Sequence, residues 1–577
     1  MKNEENMPHN FVIRYIIPHN LKNRNIYFHI FNKKVVICMK KQNFLKGSLI
    51  LMVSAAVVKL FGAIFKIPLT NMLGGVGMSY FSCAYSLFMP VYALTVTGLS
   101  AAVARMTAQS GAFGMYDNVR RIRRTAMLIF AGLGLVGSII TAAAAKPFCI
   151  YVMKIPEASA AVLMIAPTVF FGCITAVERG YYEGLSNMYP TAFSQLTEGI
   201  VKVVTGLFLC GYVMENSEAV LRFFPESTDI RAVAAAAGIL GVTLSSAGAM
   251  LYFGALRLFG RGKFSSSDST LMSRRNIARE LLSTALPTGV SAVVTNLTAL
   301  IDMATVIGCI TYFGSRVHVP EGVLPEEMPH FIYGSFAGIA LTVFNLIPSV
   351  TNMLGKGILP SVTEAWTAGD RKTLRKRAVQ ALMTASVIAV PAAFGMWALS
   401  EELLGFLFSG QPDEVKVCVN ALRYLMPGMV CLCVSFPLFS MLQAIGKAAA
   451  PMKIMLWGAG IKLVGNLTLI PFMGADGAAV STSVCYGIIL IISLKIFTHE
   501  SGISLDFKPF ASLLYSGAMC GASAYLTSDI LEHSGFGKTS VLFISTVIGG
   551  AVYLLMTMLL RESLYSVLSP KIKRDAR

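Results

Sequence analysis

GSLILMVSAAVVKLFGAIFKIPLTNMLGGVG, residues 47–77, decides the fold. Leu49 to Leu73 is apolar over the roughly 20 residues that a helix needs to cross a bilayer, yet it carries Lys59 and Lys66. On insertion scales each ammonium costs about 2.5–3.5 kcal/mol at a helix centre. Seven residues separate the two lysines, and seven steps of 100° return a helix to within about 20° of its start. They therefore form one stripe, with Gly62 and Ala63 between them leaving room on that face. A charged stripe on a membrane helix has to face a bundle interior or a water-filled cavity.

The rest of the chain agrees with a membrane setting. Of 577 residues, 55% are hydrophobic and 14% charged, against about 25% charged in soluble domains. A 20-residue window predicts an all-α polytopic protein with about fourteen transmembrane helices: 46–69, 78–104, 125–145, 160–181, 190–213, 233–258, 281–311, 332–355, 378–400, 415–443, 452–472, 476–497, 509–530 and 539–560. The loops between them alternate in charge. One set carries Lys40, Lys41 and Lys46, then Arg120 to Arg124, Arg257 to Arg279, Arg371 to Arg377, Lys447, Lys495, Lys508 and Lys571 to Arg577. The other carries Glu215, Glu218, Glu226, Asp229, Glu321, Glu326, Glu327, Glu401, Glu402, Asp413, Glu414, Asp529 and Glu532. Basic loops face the cytoplasm, so both termini are expected there, in the cytoplasmic membrane. The formal charge of +18 is thus explained by topology rather than by nucleic acid, which is not expected as a partner.

An internal repeat divides the chain. LSAAVARMTAQSGAFGMYDNVRRIRRTA after the second segment resembles LPSVTEAWTAGDRKTLRKRAVQA after the eighth, placing Thr107-Ala108 on Thr367-Ala368. YPTAFSQLTEGIVK resembles APMKIMLWGAGIK, placing Pro190 and Gly199 on Pro451 and Gly460. The two matches share nearly one offset and predict two six-helix lobes in the same orientation around a central cavity. The expected divisions are a disordered tail or overlong extension at 1–42, a first lobe at 43–260, a cytoplasmic linker at 261–280 containing SSSDST, a second lobe at 281–500, and two further helices with a basic tail at 501–577.

Once the loops are explained, a few charges remain inside spans. Lys59, Lys66, Lys202, Lys462, Arg179 and Arg423 are the candidate substrate-binding cations; Asp302, Glu198 and Glu178 are candidate ion-coupling groups or charge partners. Glu198 and Lys202 are spaced i,i+4, as are Arg179 and Glu183, so each pair is expected to meet on its own helix. Lys202 and Lys462 occupy places in the repeat that are equivalent to within one residue. Lys59 lies nearer mid-span than Lys66 and is expected to be the deeper of the two. Six cations against three carboxylates make the cavity net basic, suited to an anionic substrate such as a phosphate or diphosphate.

Enzymatic motifs are lacking. EHSGFGKTS, 532–540, ends like a nucleotide-binding loop, but Glu532 stands where the pattern needs glycine and no strand precedes it. The eleven cysteines lie mostly in apolar runs without metal-ligand spacing and are expected to act as small fillers. Neither cofactor nor metal is called for, and the chain is expected to be a transporter rather than an enzyme.

NFLKGSLILMVSAAVVKLFGAIFKIPLTNMLGGVGMSYFSCAYSLF, 43–88, resembles the N-terminal signature of the stage V sporulation protein B and polysaccharide-exporter branch of the multidrug/oligosaccharidyl-lipid/polysaccharide flippases, related to MurJ-type lipid II flippases. Leu73-Gly74-Gly75-Val76-Gly77-Met78-Ser79-Tyr80 partly matches the family's glycine-rich exit from the first helix, and Leu359-Pro360-Ser361 is retained in the second half. Ser100 departs from the proline usual in Gly98-Leu99-Ser100. The resemblance implies alternating access and a bacterial lipid-linked oligosaccharide or peptidoglycan precursor as substrate. It also implies contact with membrane lipid and with cell-wall or polysaccharide synthesis enzymes. A cation-coupled multidrug exporter of the same fold, a membrane-embedded lipid-modifying enzyme and a non-transporting scaffold for cell-wall or spore synthesis are the other readings. Removing 1–38 is expected to leave activity intact; loss of activity in a well-expressed truncation would contradict that.

Overall fold

The computed structural model describes residues 44–225, 228–259, 271–314, 323–447, 449–505 and 508–560. The expected N-terminal extension, the SSSDST stretch of the linker and the basic C-terminal tail lie outside them.

The chain is helical along almost its whole described length. α1 (Phe44–Tyr92) passes through a π-helical turn (Ala93–Thr97) into α2 (Gly98–Ala112), and then come α3 (Tyr116–Pro147), α4 (Ser159–Ile165), α5 (Pro167–Gly184), α6 (Tyr189–Glu215), the short α7 (Ser217–Leu221) and α8 (Ile230–Phe259). The second half begins with α9 (Arg274–Phe313). It continues through α10 (Met328–Ser335), a π-helical turn (Phe336–Ala340), α11 (Leu341–Phe344), α12 (Leu346–Thr367), α13 (Arg371–Ala398), α14 (Ser400–Leu407), α15 (Pro412–Ala444), α16 (Ala450–Met473) and α17 (Ala475–Ser501). α18 (Lys508–His533) and α19 (Lys538–Leu559) close the described chain.

Local chemistry sets several of these boundaries. Ser273 caps α9 by accepting from the Asn276 N–H, and Asp370 caps α13 by accepting from Lys372 and Thr373, each satisfying amides that the first helical turn leaves open. The repeated prolines 190 and 451 both lie in the first turn of their helices, α6 and α16, where a missing N–H costs nothing.

One packing pattern occurs twice. In the first half α1 packs on α6, α6 on α8, α2 and α3 on α5, α5 on α8, and α2 on α3. In the second half α9 packs on α16, α16 on α17, α12 and α13 on α15, α15 on α17, and α12 on α13. We call these the first and second bundles. α18 packs on α13, and α19 on α18 and α14.

Eleven helices among the described residues are long and apolar enough to cross a membrane. The number is twelve if the pair Pro325–Phe344 and Leu346–Thr367, bent by 46°, forms one broken span. The expected count of fourteen is not confirmed, for two physical reasons. The first two expected spans form one helical run, Val53–Gly111, and α18 is rich in Ser, Gly and Ala and falls below the apolarity of the others. The 59-residue run would be roughly 90 Å long if straight, about three hydrocarbon cores. It is not straight: Gly74 has φ 64° and ψ −173°, a non-helical break in a region that side chains rarely adopt.

That break is where the bundles meet. The Gly75 N–H donates to the Glu414 carboxylate (3.0 Å), Asn71 donates to the Leu407 carbonyl (3.0 Å), and Gln411 donates back to the Asn71 carbonyl (2.9 Å). Arg231, at the start of α8, pairs with Glu327 of the other half at 2.5 Å and with Asp229, which also accepts from Tyr80 at 3.0 Å. The acidic residues that read as neutral-side loops therefore build a clasp between halves. Gly75 and Gly334 touch backbone to backbone: a Cβ on Gly334 would lie 1.6 Å from the Gly75 carbonyl oxygen. Gly334→Ala is expected to cost about 1–3 kcal/mol or more, read as a lowered melting temperature of the detergent-purified protein; an unchanged value would contradict this contact.

Candidate functional site

Between the bundles, α1 folds back on itself around a cavity of about 360 Å3. Gly62, Phe65 and Lys66 reach it from the first limb of α1, and Phe81, Ser82, Tyr85 and Met89 from the second limb. Lys202 enters from α6. The second bundle supplies Asn296 of α9, Tyr333 of α10, Ala337 and Leu341 around the π-helical turn, and Asn345. Among the described residues that line it there are two lysines and no carboxylate.

Each lysine is held in a defined way. Lys66 Nζ donates to the carbonyl oxygen of Ala337 across the bundle interface at 2.8 Å, and one turn farther on Thr70 reaches the neighbouring Gly338 carbonyl at 3.4 Å. A π-helical turn displaces carbonyls from the regular ladder and commonly marks a working segment. Lys202 Nζ lies 4.8 Å from the centre of the Phe65 ring, a cation–π contact on a face shaped by α1. Among the described residues neither ammonium has a carboxylate within ion-pair distance. The rest of the lining combines aromatic walls with hydroxyl and amide groups, the chemistry of a site for a polar, negatively charged head.

The other sequence-selected charges lie elsewhere. Lys59 is exposed, one turn beyond Gly62 on the stripe that carries Lys66, and of the two it is Lys66 that lines the enclosed cavity. Lys462 is 3% exposed and pairs with Asp302 at 2.6 Å; Asn466 donates to the other Asp302 oxygen at 3.0 Å and to Thr305 at 2.8 Å. This network ties α16 to α9 inside the second bundle. Arg179 pairs with Glu198 across α5 and α6 at 2.7 Å and donates to Ser194 at 2.9 Å; Glu198 also accepts from Ser246 at 3.4 Å. The expected same-helix pairs Glu198–Lys202 and Arg179–Glu183 are thus replaced by a pairing between helices. Glu178, 4% exposed, binds Arg123 through two contacts of 3.1 and 2.5 Å, and that guanidinium stacks 4.4 Å above Tyr181. Arg423 donates to Ser400 at 2.8 Å, away from the cavity lining.

Charge alone was the search criterion, so the uncharged half of the site escaped it. Phe81, Tyr85 and Met89 recur every four residues, a stripe on one helical face that continues across the cavity from Lys66. Arg123 sits in a basic run, and its role as the partner of Glu178 has no local signal. A separate apolar groove of about 700 Å3 runs between α13, α15, α17 and α18, walled by Val390, Phe394, Trp397, Pro427, Leu490 and Tyr525.

Stage V sporulation protein B of Bacillus subtilis (strain 168) is 24% identical over 536 residues, covering 90% of this chain and 96% of its own length. Lipid II flippase MurJ of the same organism is 22% identical over 544 residues, covering 88% and 94%. Among solved structures, lipid II flippase MurJ in an inward closed conformation superposes with TM-score 0.61 at 14% identity, over 89% of this chain and all of that one; this establishes the fold. A MatE family model matches residues 335–468. The model described as Polysaccharide biosynthesis protein matches residues 44–367, more than half of the sequence, and this multi-pass membrane protein belongs to that family.

Proposed function

We propose that the protein is a flippase that carries a lipid-linked anionic saccharide, an undecaprenyl-diphosphate-linked oligosaccharide or peptidoglycan precursor, from the inner to the outer leaflet by alternating access. The observation that carries this reading is the cavity between the bundles, lined by Lys66 and Lys202 and by no described carboxylate. The diphosphate would sit between the two ammonium groups, with Tyr85, Asn296 and Tyr333 around the adjoining sugar, while the polyprenyl chain stays in lipid. Lys59, farther along the stripe, would attract the head on entry. The apolar groove beside α18 has hydrocarbon chemistry only and suits an acyl or prenyl chain, not the charged head.

Relatives named as a lipid II flippase and as the succinoglycan biosynthesis transport protein ExoT support the substrate class. The alternation of basic and acidic loops supports cytoplasmic termini. On that orientation the Gly74–Glu414 clasp closes the outer end, and the substrate would come from enzymes assembling lipid-linked saccharides at the inner face. A multidrug exporter for organic cations is favoured by the MatE match alone; a cavity with two lysines and no described carboxylate repels such substrates.

The test is precursor accessibility in cells depleted of the native protein and complemented with variants. Hydrogen bonds to charged groups contribute about 1.5–3 kcal/mol, so Lys66→Gln and Lys202→Gln are each expected to reduce export by about one to two orders of magnitude. The arginine variants should retain more activity than the glutamines. Normal outward exposure of the precursor in both glutamine variants, at normal expression, would overturn the assignment. In the same cells the glutamine variants are expected to leave resistance to cationic drugs unchanged; a parallel loss of drug resistance would support the exporter reading instead.

A further inference from the structure

The two bundles solve the same charge problem differently. Lys202 on α6 and Lys462 on α16 match to within one residue in the repeat, and each stands where the fifth long helix of its bundle crosses the first: α6 on α1, and α16 on α9. At the second crossing the group opposite Lys462 is a carboxylate, Asp302, at 2.6 Å, and the site is closed, with the pair 3% and 2% exposed. At the first crossing α1 presents Lys66 beside Lys202, and the site opens into the cavity. Two ammonium groups side by side repel one another, and the first crossing accepts that repulsion in an environment where charge is expensive.

Lys66 shows what is missing. Its ammonium donates to a neutral acceptor, the Ala337 carbonyl on the other bundle, although an anionic acceptor binds such a donor roughly twice as strongly. Lys202 rests against the Phe65 ring, which is likewise a substitute for a counter-anion. We infer that a bound phosphate group takes, at the α1–α6 crossing, the structural place that the Asp302 carboxylate fills permanently at the α9–α16 crossing. One bundle carries its anion in the sequence and the other receives it as ligand. Binding then does more than fill the cavity: it neutralises the Lys66–Lys202 repulsion, tightens α1 against α6, and competes with Ala337 for the Lys66 ammonium. Contact between bundles is exchanged for contact within one bundle, which is the coupling that alternating access needs. This deepens the flippase reading and rests on it for the identity of the phosphate carrier, while the anion's structural role stands on the two crossings.

Thermal unfolding of the purified full-length protein tests it, with inorganic pyrophosphate and undecaprenyl diphosphate as probes and potassium chloride at matched ionic strength as control. Ligand that binds only the folded state raises the melting temperature in a saturable way. Both probes are expected to do so for the native chain, the lipid form at lower concentration, and the salt control is not. Lys66→Met and Lys202→Met should lose the response. Asp302→Asn should start from a lower melting temperature and keep the full response, because its crossing is separate. Lys66→Glu supplies the carboxylate internally, so it should melt above Lys66→Met and ignore both probes. No saturable shift in the native chain, or an undiminished shift in both methionine variants, would overturn the inference. If the shift is absent while the glutamine variants still fail in cells, the flippase reading stands and this one falls. If the shift is present while precursor export is normal without the protein, the reverse holds.

Discussion

A lysine ammonium enclosed among apolar helices has to find an acceptor, and the way each bundle meets that demand organises this molecule. The Asp302–Lys462 pair, with Asn466 and Thr305 around it, is a closed solution. Removing one partner of such a pair commonly costs about 3–5 kcal/mol, because the other is left charged and buried. Arg179–Glu198 and Arg123–Glu178 are closed solutions of the same kind in the first bundle. These pairings consume the three carboxylates selected from the sequence, Glu178, Glu198 and Asp302, leaving Lys66 and Lys202 with a carbonyl and a ring. The positive character of the cavity therefore follows from where these pairings are made, away from Lys66 and Lys202.

The backbone makes that place accessible. α1 must reach the cavity from both of its limbs, which requires a sharp reversal of direction in a helix otherwise too long for a bilayer. Gly74 provides the turn, and Gly75 lets the turn dock against Gly334 and the Glu414 carboxylate. The same few residues thus shape the cavity walls and clasp the bundles at one end. The polar contacts there are single hydrogen bonds and one ion-pair cluster, each worth about 1 kcal/mol net, and they sit on an apolar core that runs across the junction through Leu73, Val76, Phe331 and Phe336. A smaller apolar cluster lies within the second bundle around Val362, Leu382 and Leu442, and another lies in the first around Leu99, Ile122 and Val177, against the start of α9.

Much of this was legible in the residues. The lysine spacing in KLFGAIFKIP placed both on one stripe, and the prolines at 190 and 451 marked equivalent helix starts. The glycine-rich LGGVGMSY that carried the family resemblance contains the break in α1 at Gly74, with Tyr80 anchoring it to Asp229. What escaped was everything that depends on which helices are neighbours. An i,i+4 spacing offers Glu198 to Lys202, but Arg179 from the adjacent helix wins because its guanidinium can also bind Ser194. Asp302 and Lys462 are 160 residues apart, and only the α9–α16 crossing joins them. That Lys66 and not Lys59 lines the enclosed cavity depends on where α6 and the second bundle pack against α1, which spacing along one helix does not show.

The central claim is that the cavity between Lys66 and Lys202 receives the diphosphate-sugar head of a membrane lipid. Photo-crosslinking in living cells tests this most directly, from a photoreactive residue placed at Met89, which lines the cavity and takes no part in the pairings above. An adduct that retains the lipid-linked saccharide and disappears when Lys202 is replaced by Gln is expected. An active protein that yields no such adduct, or an adduct equally abundant without Lys202, would contradict it.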